Sequence, residues 1–523
     1  MSAAPKAFDM ALPAEASVVS SPGGKTMTPT VTQTSTLPVG DNVSLTLGKD
    51  GLIISDPHQK KREEGFLQGF CCMPSDVNAG PDRLIPYFNV LWADVMHDYV
   101  TIKFAEEQSK DVVSAASVFY PVDVDHKINA DAWCDRLLQL SYGKAQQRKR
   151  VKVLVNPFGG KGHANQLYYK FIEPILAAAH CEIDVEQTKY SGHGTDIAEK
   201  LDINAYDVIA ACSGDGIPYE VFNGLAKRPD ATEALQTIPV VNIPCGSGNA
   251  MSCNLNGTHS PSMGALCVVK GIRTPLDLVS ITQGETRTLS FLSQSFGIIA
   301  ESDLGTENVR WMGPMRFQYG FVMRLIRQNR WPCDLAIKTE IGTKDEIKAH
   351  YRKKIAEAKE KAARGDFDVP RFFETNELEK GLPPLRYGRV TDPLPDGWKL
   401  VPHEKMSNFY VGNMAYMSPD ANFFTCALPN DGMIDLLTVP SDCPRKTVLS
   451  MMFALGDNTL FDMPDVTMRK ISGYRLIPRE KKGYISVDGE SVPFEPIQAE
   501  VHQGLGTTLS RNGYSYAAPG PAS

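Results

Sequence analysis

The rhythm of hydrophobic and polar positions changes along the chain, and each change predicts a different kind of structure. Residues 1–45 are rich in Ser, Thr, Pro and Ala with few large apolar side chains, a composition that predicts disorder. Residues 46–142 alternate short β-like runs (VSLTLG, GLIIS, YVTIKF, ASVFY) with turn-rich connections. They close on a predicted amphipathic helix, DAWCDRLLQLSYG, with Trp133, Leu137 and Leu140 on one side.

From Val151 the pattern becomes strand, glycine turn, helix, repeated. VKVLVN, CEIDVEQT, YDVIAACS and IPVVNIP read as strands, with helices near GTDIAEKL and YEVFNGLAKR between them. Alternation at this spacing predicts βαβ units and a parallel sheet over residues 149–280, an α/β fold. After about Leu276 the chain turns strand-rich (LDLVSIT, TRTLSFLSQSFGIIAE, KMSNFYVGNMAYM, MIDLLTVP, GYISVDGE), which predicts a mostly antiparallel second lobe over 281–512. Residues 340–400 interrupt it as a charged, then Pro-rich insertion. Its first part, residues 344–365, carries eight Lys/Arg against four Asp/Glu at spacings that support an exposed helix, either simply solvated or facing a membrane surface.

Composition narrows the classes. With 54 Lys and Arg against 61 Asp and Glu, the net charge of −7 offers no global attraction for nucleic acid. Eleven cysteines lie singly, apart from Cys71–Cys72, without CxxC pairs or zinc spacing, which suits reduced thiols in the cytosol. The pair Cys71–Cys72 reads either as strand-buried thiols or as an acylation site. The first residues lack a basic, then apolar, secretory pattern, and no apolar run reaches the roughly 20 residues that span a bilayer. A cytoplasmic protein that meets membranes from their surface is the expectation.

Three glycine turns each follow a predicted strand and precede a helix: Asn156–Gly162 (NPFGGKG), Ser213–Gly216 (SGDG) and Gly246–Asn249 (GSGN). Glycine permits close backbone approach to a ligand, and a helix start offers free N–H groups, so the turns favour phosphate. Three in order, at the carboxyl ends of successive strands, would gather on one edge of the sheet. Neither GxxxxGK[ST] nor GxGxxG with a following acidic residue occurs, which argues against P-loop enzymes and dinucleotide dehydrogenases. Asp215, between two glycines, is either a helix cap or a base for an attacking hydroxyl beside a triphosphate. Lys161 and His193 could touch phosphate or be exposed, and Glu220 one turn into its helix reads as structural.

These turns, together with Glu220, the downstream Val487–Glu490 (VDGE) and their order, resemble the diacylglycerol kinase-like catalytic family, and within it the sphingosine (sphingoid long-chain base) kinases. The likeness covers roughly residues 149–335 and 398–512. It implies a two-lobed lipid kinase that uses ATP and Mg2+ in the cleft and phosphorylates the primary hydroxyl of a sphingoid base. By position, Asp215 matches the catalytic base. The resemblance assigns nucleotide contacts to Asn156, Phe158, Gly159, Gly160, Thr188, Ser213, Gly214, Gly216, Gly246, Ser247, Gly248, Asn249, Asp488, Gly489 and Glu490, the last near the ribose. Phe158 stands where some relatives carry Arg. Asp303 matches the residue that binds the lipid head group, Ser293 and Glu307 lie with it, and Arg310 and Arg316 face the phosphates. A carboxylate at 303 also makes physical sense, since a sphingoid base carries a protonated amine and ceramide or diacylglycerol does not. Asp431 and Asp435 (PNDGMIDLL) resemble a recurring piece of the wider family, though a hairpin turn explains them. The strands of 46–142 closed by one Trp-bearing helix outline a pleckstrin-homology-like module. Competing readings are a ceramide or diacylglycerol kinase and, from another class, a non-catalytic lipid-binding scaffold.

Overall fold

The computed structural model describes residues 35–57 (except 41), 82–122, 127–159, 162–305, 320, 323, 330–364, 381–439 and 442–521. Residues 1–34, Cys71–Cys72, Gly160, Lys161, Glu307, Arg310 and Arg316 therefore lie outside the described residues.

The N-terminal module starts earlier than expected. Strands β1 (Thr36–Val39) and β2 (Val43–Leu47) begin before residue 46, because Leu37, Val39, Val43 and Leu45 alternate as a buried face that the flanking Ser/Thr/Pro composition hid. With β3 (Gly51–Ser55) and β4 (Asp82–Pro86) they form a four-stranded antiparallel sheet. A second sheet has three strands, β5 (Val90–Met96), β6 (Tyr99–Ser109) and β7 (Val112–Pro121). Helix α1 (Lys127–Tyr142) closes the module, burying Trp133, Leu137 and Leu138, while Leu140 is only half-buried.

The second part is a parallel sheet of order β11-β10-β8-β9, built from β8 (Arg150–Val155), β9 (Glu182–Gln187), β10 (Val208–Ser213) and β11 (Val240–Pro244). Strands β10 and β11 are buried along their whole length, as expected for parallel strands covered on both faces. The connecting helices are α2 (Ala164–Leu167 and Glu173–Ala178, joined by the π turn Tyr168–Ile172), α3 (His193–Lys200), α4 (Gly216–Ala226) and α5 (Ala231–Thr237). Helices α6 (Ala250–Asn256) and α7 (Pro261–Lys270) complete the lobe. Module and lobe share one apolar core that joins Trp92, Tyr142 and Leu176 to Leu266 and Val269. At its centre the buried Lys270 ammonium donates to Val90 O and Ser141 O and lies 3.6 Å from the Tyr142 ring centroid.

The third part begins at Ile272 rather than at 281. Strand β12 (Ile272–Gln283) runs through the expected boundary, because its pairing with the long C-terminal strand starts at Ile272↔Ser510. The remaining strands are β13 (Thr286–Ser290), β14 (Ser293–Gly297), β15 (Cys333–Ile341), β16 (Val401–His403), β17 (Asn408–Gly412), the small hairpin β18 (Tyr416–Ser418) and β19 (Ala421–Asn422), β20 (Ile434–Thr438), β21 (Thr467–Pro478), β22 (Ile485–Val487), β23 (Glu490–Val492) and β24 (Ile497–Ser510). All but the small hairpin belong to one large antiparallel sheet, ordered β13-β12-β24-β21-β20-β17-β14-β22-β23, with β15 and β16 added beside β21. Helix α8 (Ile298–Leu304) follows β14, α9 (Lys344–Ala363) is the charged helix of the insertion, and α10 (Arg445–Gly456) packs Met451 and Ala454 inward.

Two local expectations change. Helix α9 is not merely solvated: Ile347 is buried, and His350 Nε2 lies 3.1 Å from Asp431 Oδ2. Asp431 and Asp435 are more than hairpin residues, since both sit 3.0 Å from the ammonium of Lys470, and all three side chains are at most 2% exposed. Burial would raise both carboxyls; Lys470 and His350 more than offset this at Asp431, whereas Asp435 is left at about 6. Asp277, buried nearby, accepts from Gly432 N and Gly504 N at 2.6 and 2.7 Å.

Removing the cation from such a cluster strands its carboxylates. Lys470→Met should lower stability by about 3–5 kcal/mol in urea unfolding, the range for breaking a buried ion pair. A loss below about 1 kcal/mol would show that the aspartates simply take up protons instead.

Candidate active site

The three glycine turns lie side by side at the carboxyl ends of β8, β10 and β11. Asn156 N donates to Cys212 O at 3.2 Å, and Cys245 N donates to Ser213 O at 3.0 Å. The second and third turns touch through bare backbone: a Cβ added to Gly246 would fall 2.4 Å from Gly214 Cα and 2.5 Å from its nitrogen. Any side chain at 246 would force the turns apart, which explains that glycine by contact rather than by flexibility.

Asp215, in the second turn, stands at the start of α4, but its side chain does not cap that helix. Its carboxylate reaches across the gap to α6, accepting from Ala250 N through Oδ2 and from Met251 N through Oδ1, both at 2.9 Å. The cap reading thus holds, but for the neighbouring helix α6 rather than for α4. Burial pushes its carboxyl above the usual range, and the Met251 and Ala250 N–H groups hold back part of that rise.

Other predicted nucleotide contacts divide into two groups. Exposed or half-exposed around the turns are Phe158, Gly159, Ser247 and Gly248, with the Phe158 ring 75% exposed. Phe158 N donates to Asn156 Oδ1 at 3.0 Å, so the Asn156 side chain shapes the first turn. Thr188, directly after β9, is buried beside that turn, its N–H donating to Val155 O. Ser213 is buried with its hydroxyl donating to Gly214 O at 2.6 Å. Asn249, in the left-handed region at φ 55°, accepts from Gly246 N and donates to Gly246 O, so its amide is committed to its own turn. Of the side chains left open, Glu220 accepts from Gly192 N and Gly194 N at 2.8 Å each and so anchors the start of α3. His193 is buried, its Nδ1 3.3 Å from Lys189 N.

The largest departure concerns Asp488. Instead of pointing at a nucleotide, its buried carboxylate accepts from Ser290 Oγ, Phe291 N, Leu292 N and Ser293 N at 2.6–3.0 Å. Burial raises this carboxyl to about 6 despite those donors. Its own backbone is left-handed (φ 52°), as is Gly489 (φ 85°), so the chain reverses sharply and returns as β23. Glu490 then lies at the start of α4, with Oε1 3.0 Å from where a Cβ on Gly216 would be. A carboxylate there suits the positive end of the helix. Two residues therefore separate a bond to Ser293 from a contact at Gly216, which places the two predicted ligand regions next to each other.

Ser293 and Asp303 both lie near Tyr410. Tyr410, on β17, hydrogen-bonds Ser293, and its buried hydroxyl is pushed up by burial and by the nearby charge of Asp303. Asp303 Oδ2 lies 3.4 Å from the Ser486 hydroxyl, while Ser302 turns back to Ile298 O. Sequence reasoning missed four residues here: Tyr410, Ser486, Asn223 and Asn242. Asn223 on α4 exchanges two 2.9 Å bonds with the Leu289 backbone and so stitches the lobes together; its place in the SGDGxxxExxNG run was the available signal. Asn242 on β11 donates to Ser213 O and Gly214 O behind the Ser213–Gly216 turn, which no local pattern announces.

Because four donors converge on Asp488, its exchange for an amide turns an acceptor into a donor facing donors. Asp488→Asn should cost about 1–3 kcal/mol in chemical unfolding. An unchanged unfolding midpoint would return Asp488 to the ligand.

A diacylglycerol kinase catalytic domain profile matches residues 150–281, and a domain of unknown function (DUF7493) matches residues 35–143. Sphingoid long chain base kinase 5 of Saccharomyces cerevisiae is 35% identical over 466 residues, covering 79% of this chain and 67% of that protein. Sphingoid long chain base kinase 4 of Schizosaccharomyces pombe is 34% identical over 444 residues, 84% of this chain and 90% of that one. Human sphingosine kinase 1 is 29% identical over 373 residues, covering 68% and 88%. With relatives this similar along most of its length and the glycine turns gathered around Asp215, the chain belongs to the sphingoid long-chain base kinase family.

Proposed function

We propose that the protein transfers the γ-phosphoryl group of ATP to the primary hydroxyl of a sphingoid long-chain base. The observation that carries this reading is the pairing of two half-buried carboxylates, each set for one task. Asp215 is held by the α6 N–H groups among three glycine turns, and Asp303 faces the hydroxyls of Ser486 and Tyr410 one short chain reversal away. Asp215 takes the proton of the attacking hydroxyl, since burial raises its carboxyl and makes it a better base. The glycine turns and the starts of α4 and α6 offer N–H groups to the triphosphate. Asp303 receives the protonated amine, which a neutral lipid lacks.

Magnesium would enter with the nucleotide. Among the described residues no three His, Cys, Asp or Glu side chains form a cage for it. An ion bridging phosphates needs only one or two carboxylates, and Asp215 and Glu490 flank the place. When bound, it would neutralise charge on the phosphates.

Such a substrate resides in a membrane, and among the described residues no helix is long and apolar enough to cross one. Peripheral attachment from the cytoplasmic side fits this reading, with the N-terminal module serving as a pleckstrin-homology-like surface element.

The direct test is phosphate transfer from labelled ATP to sphinganine, ceramide and diacylglycerol in detergent micelles. Labelling of sphinganine is expected; labelling of a neutral lipid alone would overturn the substrate assignment. Asp215→Asn should lose at least about 10²-fold in turnover while still binding nucleotide, and near-normal turnover would remove it as the base. Asp303→Ala should cost about 10- to 150-fold in kcat/KM for the amine-bearing lipid. Only ionised Asp215 accepts a proton, so activity falls as pH drops through its folded pKa. Burial raises that value, which places the acid limb of the pH–rate profile above the ordinary carboxylate value of about 3.9.

A further inference from the structure

A cavity of about 240 Å3 opens where the three parts of the chain meet, at the amino ends of β8 and β10. The glycine turns lie at the other end of these strands, about 20 Å away. The cavity wall includes Lys144, Gln146 and Lys149 from the linker between α1 and β8, Asp207 just before β10, Arg273 of β12 and Leu509 of β24. Three of these side chains are cations and one is a carboxylate.

The carboxylate does not balance the cations. Asp207 accepts from Arg150 N at 2.8 Å and from the Arg150 guanidinium at 2.9 and 3.3 Å, so its charge is already matched by a residue outside the wall. Lys149 is 3% exposed, and its ammonium donates to Gln146 O at 2.9 Å and to Val269 O at 2.7 Å, which uses two of its three N–H groups. Arg273 donates to Gln236 O and Thr237 O through Nη2 alone. The neighbouring buried lysine, Lys270, also bonds carbonyls and brings no counter-charge. Burial draws the Lys149 ammonium down to about 8, which still leaves it a buried cation at neutral pH. Buried charges are ordinarily paired, and here the protein supplies only carbonyls.

We propose that this cavity is a binding site for a phosphate group, held by Lys149, Arg273 and Lys144, whose occupant fastens the N-terminal module to both lobes. A phosphate monoester carries a charge of about −1.5 to −2 near pH 7 and three acceptor oxygens. That suits a wall of three cations on which Lys149 and Arg273 keep N–H groups that no described residue takes. The space is smaller than the roughly 300–1,000 Å3 of sites for drug-sized ligands. The occupant is therefore inorganic phosphate or the phosphate end of a lipid head group. This assignment is independent of the substrate proposed above.

The test is thermal unfolding of the full chain, saturated with ADP to occupy the glycine turns, in inorganic phosphate against chloride at equal ionic strength. Phosphate well above its Kd should raise the melting temperature by about 2 °C or more. Arg273→Gln should weaken the apparent Kd at least about 10-fold, and the exposed change Lys144→Gln about 2- to 5-fold. In parallel, co-sedimentation compares phosphatidylcholine vesicles with and without phosphatidic acid. Binding that depends on phosphatidic acid and weakens in both variants assigns the site to a lipid head group. A response to inorganic phosphate alone, weakened in the same variants, assigns it to the free ion. No response to either source, or an equal response in the variants and the unaltered protein, overturns the proposal.

Discussion

A carboxylate that must serve as a base inside a protein needs donors to stay ionised, yet must keep room for one more proton. Asp215, the base of the proposed reaction, is held by the N–H groups that open α6, while burial raises its carboxyl. That solution constrains much around it. Helix α6 has to begin within reach of α4, so β10 and β11 must be neighbours, and their turns must pass at backbone contact through Gly214 and Gly246. Asn242 reinforces the arrangement from behind by holding the carbonyls of Ser213 and Gly214.

The second lobe is joined to this site by polar contacts as well as by packing. Asn223 binds both backbone groups of Leu289, and Asp488 gathers the next turn, Ser290–Ser293, before the chain reverses to set Glu490 at α4. A carboxylate with four donors is a strong, directional clamp where burial excludes competing water. It explains how Asp488, in a strand-end motif far downstream in sequence, helps to frame the site. Two buried lysines do comparable work elsewhere, Lys270 under the N-terminal module and Lys470 between Asp431 and Asp435. Through His350 the latter also fastens the charged insertion to the lobe core.

Much of this was legible in the sequence because it depends on local pattern. Uninterrupted apolar runs followed by glycine turns determined the parallel sheet, its helices and the gathering of Asn156, Asp215 and Gly246 on one edge. The switch to alternating strands likewise announced the antiparallel lobe, and the order of motifs pointed to the family and to Asp215. What misled was composition: Ser, Thr and Pro around Thr36–Val39 concealed a strand, and the charge of Lys344–Ala363 concealed the buried contact of an expected helix.

Only the tertiary structure decided which member of a motif faces a ligand and which holds the frame. In VDGE, Asp488 turns inward to Ser290 and Glu490 turns to Gly216; in GSGN, Asn249 closes its own turn. The difference lies in side-chain direction and, for Asp488 and Glu490, in partners more than a hundred residues away, which spacing along a chain does not encode. The alignment of Tyr410, Ser295 and Ser486 across β17, β14 and β22 comes from strand register alone, since hydrogen bonding between distant strands sets which hydroxyls share a face.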